Sequence, residues 1–312
     1  MRCLYCYAPL YELERDFHPA CSRKIFGESA PPDLAFSEDQ IETLAAEIIK
    51  AHTTVTGVQP KLSLHLTQGD THNRTKRFTI SGLWGAYILK PSSSSYPQLP
   101  EVEDLTMHLA EIAKINVVPH SLVRLQSGNL AYLTKRIDRI KKEKLHMEDM
   151  CQLTGRLTED KYQGSYEQIA RTIQKYSAVP GLDIVNFFEL VLFSFLTGNA
   201  DMHLKNFSLI KQKGIGMILS PAYDLLATTL VNPVDKEELA LTLNAKKKKI
   251  SKTDFTAAFE TLKLDEKQQE NIFKKMIQAK SAWIEMINIS FLDDAFKKQY
   301  IGLLEERMKR II

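Results

Sequence analysis

The sequence predicts a two-lobed α+β fold, with a sheet-rich N-lobe and a helical C-lobe. Three observations predict it. The chain has 312 residues, more than one hydrophobic core usually organises. Short β-like runs separated by Gly, Asp and Asn fill much of the first half, and apolar residues recur at helical spacing through most of the second. The expected divisions are an N-terminal segment over 1–35, an N-lobe over 36–136 and a C-lobe over 137–312.

Residues 1–35 are expected to be irregular and include Pro31-Pro32. Ser37 then reads as an N-cap with Gln40 as its capping-box partner. Ile41, Leu44, Ala45, Ile48 and Ile49 share one face of the helix that follows, which should end near His52. Strands are expected over 61–66, 77–80, 86–90, 117–118 and 130–134, with a helix over 101–114 between the third and fourth. After Asp138 the expectation is helical, over 166–175, 184–196, 254–262, 266–279 and 293–308. One hairpin interrupts it over 207–221, around Gly214 and Gly216. Phe187, Phe188, Phe193 and Phe195 fit a helix core.

Composition narrows the function classes. Apolar residues make up 44% of the chain and charged residues 25%, as in an ordinary globular protein. No apolar run approaches the roughly 20 residues that span a bilayer, and the start lacks a long apolar segment ending in a cleavage site. No membrane partner is expected, and the expected compartment is the cytoplasm. A formal net charge of +3 is too small to imply nucleic-acid binding by bulk electrostatics. The run Lys246-Lys247-Lys248-Lys249 reads as a turn before a helix, given Ser251 and Asp254 beside it. Three of the four cysteines, Cys3, Cys6 and Cys21, crowd beside His18. The short first gap suits zinc ligation by three thiolates and one imidazole; buried free thiols are the plain alternative.

The segment Gly198-Asn199-Ala200-Asp201-Met202-His203-Leu204-Lys205-Asn206-Phe207 follows an apolar helix and precedes the hairpin. Phosphoryl transfer from ATP needs a carboxylate to orient the attacking hydroxyl, a cation near the γ-phosphate and oxygen ligands for Mg²⁺. Asp201, Lys205 and Asn206 supply one of each. The step from Asp201 to Asn206 equals the Asp-to-Asn step of the protein-kinase catalytic loop. Asp224, in Tyr223-Asp224-Leu225, is the natural second Mg²⁺ ligand. His203 reads better as a residue that shapes the loop than as a proton carrier. Lys90 ends the apolar run Tyr87-Ile88-Leu89, where kinases keep the lysine that meets the α- and β-phosphates. Glu103 is placed to pair with it, and Glu101 competes for that role. The stretch from Thr54 through Val55, Thr56, Gly57 and Gln59 to Lys61 reads as a turn or as a phosphate-covering loop. Lys135, Ile137 and Asp138 fall at the expected lobe junction, where backbone groups meet adenine or simply link the lobes.

With these motifs assembled, the chain resembles the HipA-like serine/threonine kinase toxins, in particular the shorter HipT form. The supporting segments are Thr56-Gly57-Val58-Gln59-Pro60-Lys61-Leu62, Ile88-Leu89-Lys90-Pro91, Lys135-Arg136-Ile137-Asp138-Arg139, Glu148-Asp149-Met150-Cys151-Gln152, residues 198–207, and Tyr223-Asp224. The resemblance implies a protein-kinase-like fold and translation inhibition through phosphorylation of an aminoacyl-tRNA synthetase. It also implies autophosphorylation just before Gly57, at Thr54 or Thr56, where the family pattern has serines. Neutralisation would involve a small HipS-like antitoxin and a HipB-like helix-turn-helix DNA-binding protein. Two rival readings use the same residues: a small-molecule kinase of the aminoglycoside or lipid type, and a pseudokinase binding module.

Overall fold

The computed structural model describes residues 1–37, 39–41, 43–44, 61–68, 76–80, 85–93, 95–140 and 143–312. The chain divides into two compact units. The first holds residues 1–104, 118–139 and 289–291, and the second holds 105–117, 140–288 and 292–312.

The first unit is built on a five-stranded antiparallel sheet in the order β2-β1-β3-β5-β4. Its strands are β1 (Leu62–Thr67), β2 (Arg77–Ile80), β3 (Tyr87–Lys90), β4 (His120–Arg124) and β5 (Leu130–Lys135). Alternation fixes the register: Leu62, Leu64 and Leu89 are buried, and Leu62 stands opposite Leu89 in the ladder. The expected strand at 117–118 is only an isolated bridge at Val117, and the true edge strand β4 starts at His120.

Residues 1–35 are more ordered than the sequence suggests. They contain helix α1 (Pro19–Phe26), which begins with Pro at N1 and ends at Gly27. Gly27 takes φ 80°, a left-handed cap that glycine adopts without a Cβ penalty. The Ser37–Gln40 capping box forms in both directions, at 3.0 and 3.4 Å; the end of that helix near His52 lies outside the described residues.

Helix α2 (Leu99–Ile112) follows β3. Beyond residue 138 the expected helical run is delayed. A two-stranded ribbon, β6 (Arg139–Ile140) with β7 (Glu143–Lys144), comes first, followed by β8 (Met147–Asp149) and α3 (Met150–Leu153). The second unit then gathers α4 (Tyr166–Tyr176), α5 (Pro180–Thr197), α6 (Thr228–Val231), α7 (Lys252–Thr261), α8 (Glu266–Ile289) and α9 (Asp294–Met308). The expected hairpin appears as β9 (Ser208–Gln212) and β10 (Gly216–Leu219), and β8 adds a third strand beside β9.

Helix α5 is the core of this unit. Contrary to the sequence reading, it is long and apolar enough, by length and composition, to cross a membrane. Its apolar window is 72% buried within the protein, which is how a core helix satisfies the same test. Phe188 packs edge-on against Phe259 of α7, and Phe193 against Trp283 of α8.

Candidate active site

The second unit presents the 198–207 loop at the C-terminal end of α5. Gly198 takes φ 74°, and a Cβ there would fall 2.5 Å from Leu303 Cδ2. Only glycine fits both the left-handed turn and the close packing. The turn is then tied down from α6: the Ala200 amide donates to Thr228 Oγ1 at 2.8 Å, and the Thr229 amide to the Gly198 carbonyl at 3.0 Å. The buried Tyr166 hydroxyl donates to the Met202 carbonyl at 3.1 Å.

This scaffold sets the polar side chains. Asn206 Nδ2 donates to the Asp201 carbonyl at 2.9 Å, so the amide nitrogen closes the loop and Oδ1 remains the atom suited to a cation. Tyr162 Oη donates to Asp201 Oδ1 at 2.6 Å. Burial and that hydrogen bond push the Tyr162 phenol well above its ordinary range, so it stays a neutral donor. Lys205 Nζ lies 2.7 Å from Asp149 Oδ2. Asp149 is itself fixed as the N-cap of α3, in a reciprocal capping box with Gln152. Tyr223 Oη donates to the Lys205 carbonyl at 2.9 Å, and Asp224 follows it with an exposed side chain.

Asp224 has φ 61°. Aspartate tolerates left-handed backbone better than most residues, and such positions are enriched at functional sites. His203 is buried and packs edge-on against Tyr162, 5.0 Å between centroids. Burial lowers its pKa and keeps the imidazole neutral at pH 7.

In the first unit, Lys90 Nζ lies 2.6 Å from Glu103 Oε1 on α2, and Glu103 is 1% exposed. The same ammonium sits over the Tyr132 ring at 5.5 Å. The pairing partner is therefore Glu103; burial instead raises the pKa of Glu101. Lys135 closes strand β5, its amide donating to the Pro119 carbonyl at 2.8 Å. The Asp138 carboxylate is clamped by Arg136 at 3.0 Å and by Arg139. Its side chain is thus committed to local structure, and Ile137 lies between the clamping groups in sequence. Thr54, Val55, Thr56, Gly57 and Gln59 lie outside the described residues. Cys3, Cys6, His18 and Cys21 form a separate cluster in the first unit.

Sequence reasoning missed Tyr162 and, as the partner of Lys205, Asp149. Neither stands near its partner in sequence, and a tyrosine beside a 3-10 turn carries no local signal.

A family model for the HipA-like C-terminal domain matches residues 53–283. The chain belongs to the HipA-like C-terminal domain family. This family member is 33% identical over 214 residues to a Sinorhizobium fredii protein named "Putative kinase Y4dM", covering 65% of this chain and 50% of that one. It is 28% identical over 218 residues to the Shewanella oneidensis "Serine/threonine-protein kinase toxin HipA", covering 62% of this chain and 47% of that one. The chain spans about half the length of these curated relatives. Among solved structures, Shewanella oneidensis HipA in complex with HipB and operator DNA aligns with a TM-score of 0.68 at 24% identity, over 90% of this chain and 74% of that one. The Helicobacter pylori proinflammatory kinase CtkA aligns at 0.55 and 13%, over 80% and 93%. At these identities the likeness is one of fold, and that fold is kinase-like.

Proposed function

We propose that this HipA-like chain is an ATP- and Mg²⁺-dependent serine/threonine protein kinase, acting in the cytoplasm as the toxin of a toxin–antitoxin system and of the HipT form. The observation that carries the reading is the anchored 198–207 loop. It aims the Asp201 carboxylate through Tyr162, holds Asn206 against the Asp201 carbonyl and seats Lys205 on Asp149. Phosphoryl transfer is largely positioning and electrostatics, so a rigid loop bearing these groups suits it.

Asp201 orients the acceptor hydroxyl and takes up its proton, while Lys205 offsets negative charge that develops on the transferred group. Mg²⁺, when bound, neutralises phosphate charge. Asn206 and Asp224 fit it because both offer oxygen donors, the class this hard cation takes. Lys90, held by Glu103, meets the α- and β-phosphates. Val55, Gly57 and Gln59 cover the phosphates, and backbone groups of Lys135, Ile137 and Asp138 meet the adenine. His203, neutral and enclosed, keeps the loop in shape. Cys3, Cys6, His18 and Cys21 have no role in the transfer step.

The expected acceptors are an aminoacyl-tRNA synthetase and the chain itself, at Thr54 or Thr56. The expected partners are a HipS-like antitoxin and a HipB-like DNA-binding protein; HipA of Shewanella oneidensis is itself complexed with HipB. Mass spectrometry after incubation with ATP, Mg²⁺ and a panel of synthetases tests this, comparing wild type with Asp201→Ala. Phosphate on Thr54 or Thr56 and on one synthetase, lost in the variant, is the expected result. ATP turnover with no labelled protein would favour a small-molecule kinase, and absence of ATP binding a pseudokinase.

A further inference from the structure

We propose that Cys3, Cys6, His18 and Cys21 bind one structural zinc ion, which cross-links the start of the chain within a segment that hydrogen-bonds to both edges of the five-stranded sheet. The four ligand atoms lie within 4.8 Å of one another. Tetrahedral zinc, with Zn–S near 2.3 Å and Zn–N near 2.05 Å, sets an S···N edge of about 3.6 Å. His18 Nδ1 stands 3.4 Å from Cys6 Sγ and 3.7 Å from Cys21 Sγ. Those two distances bracket the tetrahedral edge.

The second shell agrees with the first. His18 Nε2 lies 2.9 Å from the Pro9 carbonyl. That contact requires the proton on Nε2, which leaves the Nδ1 lone pair facing the sulfurs, as in metal-ligating histidines. The backbone is shaped to match. The Tyr7 amide donates to the Cys3 carbonyl and the Cys3 amide to the Ala8 carbonyl, both at 2.9 Å. Tyr7 takes φ 63°, a conformation an aromatic residue holds only where its surroundings over-determine it. Cys21 is presented from α1, whose Pro19 start and Gly27 stop fix its length. All four positions are filled by protein, so the site is closed and structural, without a position for substrate. On binding, the thiol protons leave to solvent and three thiolates and a neutral imidazole meet the cation.

The physical need is plain in the topology. A stretch of 36 residues is too short to stabilise itself with its own core, yet this one reaches both outer strands. At one edge the Leu122 amide of β4 donates to the Leu4 carbonyl at 3.2 Å; at the other the Phe78 amide of β2 donates to the Asp33 carbonyl at 3.0 Å. Among the described residues, one segment thus hydrogen-bonds to both edge strands. The metal knuckle also holds Tyr7, whose hydroxyl donates to Asp104 Oδ2 at 2.8 Å. Asp104 adjoins Glu103 on α2, so the staple steadies the helix that carries the partner of Lys90.

Elemental analysis of protein purified in reducing, chelator-treated buffer tests the proposal without nucleotide or acceptor, so its failure leaves the kinase reading in place and the reverse holds too. Wild type should carry about one zinc per chain and Cys6→Ser under about a tenth of that. Cys151→Ser, altering a buried thiol of α3 outside the cluster, should keep the full amount. Should Cys6→Ser fail to fold, wild type refilled with cobalt(II) gives the second readout: thiolate-to-cobalt charge transfer and tetrahedral d–d bands that zinc abolishes. Iron in place of zinc, no metal with no cobalt–thiolate band, or full zinc retention in Cys6→Ser would overturn it.

Discussion

Asp201 stands out as a candidate in the sequence because Asn206 follows it in the same loop, at a spacing that has a chemical reason. What orients it is not legible there. Tyr162 meets Asp201 across 39 residues and Asp149 meets Lys205 across 56, and such pairings exist only once α3 and the 3-10 turn at Thr158–Asp160 have folded. Tyr162 gives this missed layer a test. Its neutral hydroxyl holds one carboxylate oxygen and, under the proposed role of Asp201, leaves the other to the acceptor. The site is partly exposed, so one such hydrogen bond contributes about 1 kcal/mol, discounted for solvent. Tyr162→Phe should therefore lower kcat/KM for the phosphoacceptor about fivefold, leaving the KM for ATP unchanged in steady-state kinetics. A faster variant would mean that the hydroxyl blocks the carboxylate rather than aims it.

At the scale of elements, period and caps carried most of the information. Strand β2 matches its expected span, and helices α4, α5, α7 and α9 differ from theirs only by a few residues at the ends. Helix α8 runs ten residues past its expected end because the apolar face continues through Trp283 and Ile287, both fully buried. The misses are elements with weak patterns. Helix α1 has eight residues, with Arg23 and Lys24 breaking its short apolar pattern, and the ribbon β6–β7 lies in a lysine-rich stretch that reads as loop. The start of α7 shows how a cap can carry a stability signal. Ser251 and Asp254 form its capping box, and Asp254 also accepts from Asn244 Nδ2 at 3.0 Å and Lys246 Nζ at 2.7 Å. Part of the lysine run is therefore structural. Burial raises the Asp254 pKa, but the hydrogen bonds from Lys246, Asn244 and Ser251 outweigh it and hold the carboxyl at about 2. A depressed folded-state pKa stabilises above the unfolded value near 3.9, and that stability fades as pH falls toward about 2. Asp254→Asn should cost about 2 kcal/mol at pH 7 by urea unfolding. The gap to wild type should close between about pH 4 and pH 2; a gap constant across that range would assign the cost to packing instead.

For the whole molecule, the α+β class follows from the change in apolar period along the chain, and the kinase-like fold agrees with it. Residues 1–35 are harder to read, because what ties them to the first unit is hydrogen bonding to sheet edges that have no sequence signature. The division of labour proposed for the 198–207 loop and Asp224 makes a prediction at this scale, since a ligand that binds only the folded chain stabilises all of it. At about a hundredfold its Kd, MgATP adds about 2.7 kcal/mol to the folded state, read as a rise in melting temperature. Asp201→Asn should keep that rise, because the proposal sets Asp201 on the acceptor hydroxyl and not on the metal. Asp224→Asn should lose most of it, and asparagine is the informative replacement because it accepts the left-handed backbone at φ 61°. An equal loss in both variants would place the two aspartates on the same ligand. A full rise in Asp224→Asn would remove that residue from the metal site and leave Asn206 as the single assigned ligand.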